Sequence, residues 1–433
     1  MKKNERSSNK IAGFSQLLSK RFDQFSYDYW PSYFLKAKDT SILCQDKNWY
    51  KDMSISGIGA CLFGYANSEI DESVIEVIRN GVASSLNSKL ESEVAELLLS
   101  FIPEHHYVRY AKSGGEAMAI AVRIARAKTN KSKVLFSGYH GWNDWYLAAN
   151  LETKTNLNNH LINNLEPIGV PRELKGTAIP FSYGEISDLE EKLENNKDEV
   201  ACIVMEPARS NPAKKEYLRQ IVNCAYRYET ILIFDEISCG FRHTKGPYAS
   251  SLGVIPDIYV FAKSIGNGYP IAAITGKRDI MNTFEKSFVS STNWTEATGL
   301  AAAKAVLKIF LDRNPETDIT DLGNYWKKLI SLVSKDTNFN LLTSGLPGMN
   351  YLSHPDNADV FRTFFTVYCL KHKYLVAGRY YPNTAQRKSD IDEYGELLTN
   401  AIKKFKTMSN EERLNFTGLV LPGGFNVLSE INV

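Results

Sequence analysis

Between residues 107 and 276 the chain alternates short apolar runs with amphipathic stretches. The runs at 107–110, 134–136, 201–205, 231–235 and 258–262 have the length of strands. Most are apolar throughout, the pattern of strands buried on both faces. Helical spacing separates them, as in KSGGEAMAIAVRIARA, EISDLEEKLENN and EYLRQIVNCAYRY. This alternation predicts an α/β fold, a mostly parallel sheet with covering helices. Before it, EIDESVIEVIRN predicts a helix with Ile70, Val74, Val77 and Ile78 on one face, and SEVAELLLSFI predicts a second. The aromatic stretch before these reads as short strands around a tight turn at Asp46 and Lys47. Residues 1 to 25 read as a frayed or amphipathic lead-in, and 150–180 as an irregular connection. After Phe288 the pattern changes to a polar turn, SSTNWTE, and a long apolar helix. FRTFFTVYCL then reads as a short strand, and SDIDEYGELLTNAIKKF as a capped helix. The expected division is an N-terminal segment 1–60 that joins a small domain, a large domain 61–290, and a C-terminal small domain 291–433.

A chain of 433 residues with 43% apolar and 23% charged residues can bury a large core. The formal charge of +2 creates no bulk field for nucleic acid or a membrane surface. Six cysteines without CxxC spacing read as reduced and mostly buried. The polar start lacks an apolar segment of secretory type, and no apolar run approaches membrane-spanning length. The expectation is a soluble cytoplasmic protein with no metal.

Candidate chemistry lies where the apolar runs end. Lys263 ends one run and Asp235 another. A lysine there is either a snorkelling surface residue or a buried amine that forms a Schiff base. Ser113, Gly114 and Gly115 precede a helix, a place that suits a phosphate or a plain N-cap. Tyr139 and His140 stand between glycines after another run, as an aromatic platform or a simple turn. Glu206 ends the run 201–205. Polar groups gathered at one edge of a parallel sheet form a site, whatever each means alone.

With these residues assembled, the chain resembles the class III pyridoxal-phosphate aminotransferases of fold type I, nearest to the glutamate-1-semialdehyde aminomutase-like group. The resemblance rests on GYANSEI, KSGGEAMAIAVRIARA, GYHGWND, IVMEPA, LIFDEISCGFR and FAKSIGNGYPIAA, in that order. It implies pyridoxal 5'-phosphate (PLP) as cofactor, a large PLP-binding domain, and a smaller α+β domain built from both chain ends. It implies that Lys263 carries the cofactor as a Schiff base and moves protons, and that Asp235 pairs with the pyridinium nitrogen. Tyr139 would stack on the ring with His140 beside it, Ile237 would pack beneath, and Glu206 would lie near the ring hydroxyl. Ser113, Gly114 and Gly115 would cradle the phosphate. Ser291 or Thr292 from a neighbouring subunit would complete that cradle, which implies a homodimer with shared sites.

The departures from the family pattern fall mostly on the substrate side. Gly115 replaces a threonine of the phosphate turn, and Asn267 stands where glycine is frequent. Trp294-Thr295-Glu296 and Ala385-Gln386-Arg387 replace other family patterns. The expected activity is amino transfer from a small-molecule donor to an aldehyde or ketone. The alternative is a 2,1-aminomutase that moves the group within one molecule. Arg209, Arg242, Arg379 and Arg387 are candidates to bind a substrate anion, and the aromatics of 27–33 are candidates to line its entrance.

Overall fold

A computed structural model describes residues 10–160, 163–208, 212–354 and 358–420. The chain forms two compact units, Ser68–Glu316 and Met1–Asn67 with Thr317–Val433. Helix Thr298–Asp312, placed with the C-terminal part by its sequence pattern, belongs to the larger unit.

The larger unit is built on a seven-stranded sheet. Its order is Tyr107–Ala111, Ala272–Gly276, Ile258–Phe261, Ile231–Asp235, Val200–Met205, Lys133–Ser137 and Ala178–Pro180. Only Ala272–Gly276 pairs antiparallel to its neighbours; the remaining pairs are parallel. The expected mostly parallel sheet is thus present. Val200–Met205, Ile231–Asp235 and Ile258–Phe261 are buried at every position, which explains their unbroken apolar sequence. Tyr107–Ala111 lies at one edge and is more exposed. At the other edge Ala178–Pro180 ends the stretch read as irregular; a three-residue strand that carries a proline gives no periodic signal. Covering helices present faces at the expected spacing: Leu218, Ile221, Cys224 and Ala225 are buried on Lys215–Arg227.

Strand register fixes what lies side by side. Ser137 is opposite Met205, Met205 is opposite Phe234, and Asp235 is opposite Val260. The residues that follow these strands therefore leave the sheet along one edge.

In the smaller unit, Phe34–Lys38, Ser41–Cys44 and Trp49–Asp52 form antiparallel strands. The expected turn at Asp46 and Lys47 is there, with Lys47 in the left-handed region at φ 61°. Leu342–Ser344, Asn350–Ser353 and Arg379–Tyr380 make a second small sheet. A core that includes Trp326, Phe364, Tyr380, Tyr394 and Leu398 joins this unit's helices.

Three expectations change. FRTFFTVYCL is not a strand but lies within helix Ala358–Lys371. Phe361, Phe364, Phe365 and Cys369 recur at helical spacing and are buried, so packing overrides the local β-propensity of Phe, Thr and Val. On helix Ser68–Asn80, Ile70 and Val74 are buried, but Ile78 is 57% exposed near the helix end. The lead-in is ordered from residue 12 as short 3₁₀ turns, held by a buried two-pronged ion pair. Arg21 Nε and Nη2 each lie 2.7 Å from a carboxylate oxygen of Asp23. Residues 1–9 of the lead-in lie outside the described residues.

Candidate active site

Helix Gly114–Thr129 starts directly after the strand that ends at Ala111. Ser113 caps it through a capping box with Glu116. Ser113 Oγ accepts from the Glu116 amide at 3.4 Å, and Glu116 Oε2 accepts from the Ser113 amide at 2.9 Å. The Ser113 hydroxyl is thereby engaged with the helix start. Gly114 and Gly115 are the first helical residues, whose amides have no carbonyl partner inside the helix. A side chain at Gly114 would sit 2.7 Å from Ile237 Cδ1, so glycine lets the two segments touch. The Gly115 carbonyl accepts from Asn143 Nδ2 at 2.8 Å. A methyl at Gly141 would lie 3.0 Å from Gly115 Cα. These contacts bring the turn at 138–141 against the turn at 113–115.

Gly138, at φ 117°, follows the strand Lys133–Ser137. A methyl there would meet Glu206 Oε2 at 2.8 Å. That same oxygen accepts from the Tyr139 amide at 2.9 Å, which fixes the start of the turn. Tyr139 is half-buried and meets Tyr146 edge-on. His140 is buried: Nδ1 lies 2.8 Å from Asp235 Oδ2, and Nε2 lies 3.2 Å from the Ser137 carbonyl. A carbonyl can only accept, so Nε2 carries a proton. The Nδ1 contact with Oδ2 then also needs a proton between the two atoms.

Asp235 is 3% exposed and also accepts from the Ile237 amide at 3.1 Å through Oδ1. The next carboxylate, Glu236, turns the other way. It accepts from the amides of Tyr248 at 2.6 Å and Ala249 at 2.8 Å, and burial raises its pKa to about 7. Of the two adjacent acids, Asp235 bonds to the 138–141 turn and Glu236 holds the start of the short helix Tyr248–Ser251.

Lys263 follows the strand Ile258–Phe261 at φ 51°, a left-handed conformation that is strained for a residue with a long side chain. Its Nζ donates to Ser238 Oγ at 2.6 Å. Ser238 lies three residues after Asp235, so Lys263 reaches the segment that carries Asp235 and Ile237.

The structure therefore brings Ser113, Gly114, Gly115, Tyr139, His140, Glu206, Asp235, Ile237 and Lys263 to one sheet edge. Ser291 and Thr292 are exposed before and within a 3₁₀ turn, and among the described residues no contact joins them to this group. Their neighbours do reach it: Trp294 Nε1 lies 3.4 Å from Glu116 Oε1, and Lys112 pairs with Glu296 at 2.8 Å. Arg242 is buried and Arg387 is exposed at a helix start. Arg379 lines a cavity in the smaller unit. Arg209 lies outside the described residues. Sequence reasoning missed Ser238, Asn143 and Glu116. Only Glu116 left a signal, the S-x-x-E pattern before an apolar helix.

Comparison with known proteins gives the class. The fold is that of PLP-dependent transaminases. It is similar to the PLP internal aldimine form of FumI from Sphingopyxis sp. MTA144, with TM-score 0.83, 21% identity, 95% of this chain and 98% of that one covered. It is also similar to an omega-transaminase from Sphaerobacter thermophilus, with TM-score 0.80, 21% identity and coverages of 93% and 96%. The model of the class-III aminotransferase family matches residues 26–342. A 3-aminobutyryl-CoA aminotransferase of Cloacimonas acidaminovorans is 30% identical, over 84% of this chain and 86% of the relative. A glutamate-1-semialdehyde 2,1-aminomutase of Methanosphaera stadtmanae is 30% identical, over 77% and 78%. The chain belongs to the class-III aminotransferase family, whose members are PLP-dependent enzymes.

Proposed function

We propose that this enzyme moves an amino group from a small-molecule donor to an aldehyde or ketone, with Lys263 as the residue that carries the cofactor. The observation behind the reading is the meeting of Lys263, Asp235 and the 113–115 turn at one edge of the larger unit's sheet. These residues suit PLP. Gly114 and Gly115 offer helix-start amides to a phosphate without side chains in the way. The buried Asp235 offers negative charge to a pyridinium nitrogen, and Lys263 offers an amine to an aldehyde. When bound, PLP supplies an electron-withdrawing ring that acidifies the C–H bond beside a substrate's amino group.

The chain supplies the rest. Lys263 Nζ would hold the cofactor covalently and would serve as the group that moves protons during the transfer. Asp235 would pair with the nitrogen of the cofactor ring, and His140 orients Asp235 through the 2.8 Å contact of its Nδ1 with Oδ2. Tyr139 would stack on the ring and Ile237 would pack beneath it, and Glu206, which accepts from the Tyr139 amide, would lie near the ring hydroxyl. Ser113 takes part in the phosphate cradle through the turn that it caps. Ser291 or Thr292 of a second copy completes that cradle, which makes the working form a homodimer with shared sites. We assign cofactor binding to the larger unit, Ser68–Glu316, and the cytoplasm as location. In support of the latter, five of the six cysteines are buried and none lies in CxxC spacing.

A 2,1-aminomutase is the second reading, favoured by the relatives that carry that name. The half-reaction separates the two. The holoenzyme is mixed with glutamate or alanine without acceptor, and its visible absorbance is followed. Bleaching of the cofactor band by one donor supports intermolecular transfer. A stable band that no donor bleaches supports the aminomutase. Absence of any band after cofactor addition overturns the role of Lys263.

A further inference from the structure

The smaller unit contains a cavity of about 260 Å³ that none of the roles above uses. Its chemistry is two-sided. Phe25, Ile55, Phe361 and Phe365 supply apolar walls, and Arg362 and Arg379 supply charge. Phe361 and Phe365 stand one turn apart on helix Ala358–Lys371 with nearly parallel rings, and Arg362 follows Phe361 on that helix. The stem of Arg362 lies on the backbone of the opposite strand, its Cδ 3.5 Å from where a Gly378 side chain would begin. The next residue, Arg379, starts the strand Arg379–Tyr380. Burial holds the Arg362 guanidinium below its ordinary range, with Asp359 acting against this and Arg379 adding to it. Asp359 pairs with Arg362 at 3.2 Å and is the one carboxylate among the described residues that line the cavity. Among the described lining residues, two guanidiniums face one carboxylate beside aromatic walls.

We propose that this cavity binds a small carboxylate carried on an apolar or aromatic body about the size of benzoate. Guanidinium forks match the planar, two-oxygen geometry of a carboxylate, and an incoming anion relieves the mutual repulsion of the arginines. The aromatic walls take up the body and give no equivalent gain to inorganic phosphate. The carboxylate can come from the enzyme's own substrate or from a separate effector. Neither Lys263 nor Asp235 enters the inference, so its failure leaves the cofactor reading intact.

Calorimetric titration of the full-length holoenzyme with benzoate tests it, with benzamide and inorganic phosphate as controls. The expected result is saturable binding of benzoate, at least tenfold weaker binding of both controls, and at least a tenfold loss of benzoate affinity in Arg379→Gln and Arg362→Gln. The thermal midpoint and the visible cofactor band report whether each variant folds. If the more buried Arg362→Gln does not, Arg379→Gln and Arg379→Lys decide. Lack of benzoate binding, equal binding of benzamide or phosphate, or unchanged affinity in the folded arginine variants overturns the proposal. A donor KM that rises with benzoate identifies the substrate's own carboxylate as the natural ligand. A KM that stays constant while benzoate binds identifies an effector.

Discussion

Asp235 is held from two directions, by the His140 ring and by the Ile237 amide, and each contact uses a different oxygen. Asp235→Asn preserves the shape and removes the charge. Cofactor affinity should fall, and the half-reaction rate should drop by about 10²–10⁴-fold, the usual weight of a group that governs proton transfer. A near-normal rate in stopped-flow absorbance would remove Asp235 from its role. Lys263→Ala should retain cofactor only non-covalently, so that borohydride treatment no longer adds cofactor mass to the chain while it does so in the wild type. Persistence of the adduct would point to another lysine. These two residues were legible because each is the first polar group after an apolar run. Ser238 and Asn143 were not, since a serine or asparagine in a turn is ordinary and its partner is set only by the fold. The division of labour between Asp235 and Glu236 was also set by the fold, through the amides of Tyr248 and Ala249.

The central strands were legible because burial on both faces demands unbroken apolar sequence. The segment 358–371 shows the limit of that rule. Its run of Phe, Thr and Val satisfies a strand locally, yet the buried residues fall at helical intervals against Phe405 and Tyr394. If that packing decides the structure, Phe364→Ala should cost about 3–5 kcal/mol, as fully buried aromatics do. Denaturant unfolding followed by far-UV circular dichroism measures it. A loss below about 1 kcal/mol would mean that the helix does not depend on this core.

Across the molecule, acid sensitivity should have a contribution far from the cofactor. His105 lies between Thr275 Oγ1 at 2.8 Å and the Pro256 carbonyl at 3.1 Å, and burial lowers its pKa from 6.5 to about 4. The folded state keeps this ring neutral while the unfolded chain takes up a proton. Its contribution is therefore fully present above pH 6.5 and is lost as pH falls toward 4. The shift corresponds to about 3 kcal/mol. Thermal midpoints measured across that window should fall more steeply for the wild type than for His105→Asn, and parallel curves would contradict the assignment. Glu236 acts in the opposite sense: its raised pKa means stability lost as pH rises from 4.5 to about 7. Neither group was legible as a titrating centre in the sequence, since burial is a property of the assembled chain.

The alignment of Ser137, Met205 and Phe234 across three strands has a practical side for anyone who would re-engineer the enzyme. Side chains alternate faces along a strand, so one residue gained or lost within Val200–Met205 would swing Glu206 to the opposite face and release the Tyr139 amide. The stretch before Ala178–Pro180 is constrained as well, because His160 Nδ1 accepts from the Gly138 amide at 3.0 Å and Leu157 and Val170 are buried in the core. Length variation therefore belongs in exposed connections such as 197–199, while the three aligned strands act as a fixed ruler against which the chemistry is set.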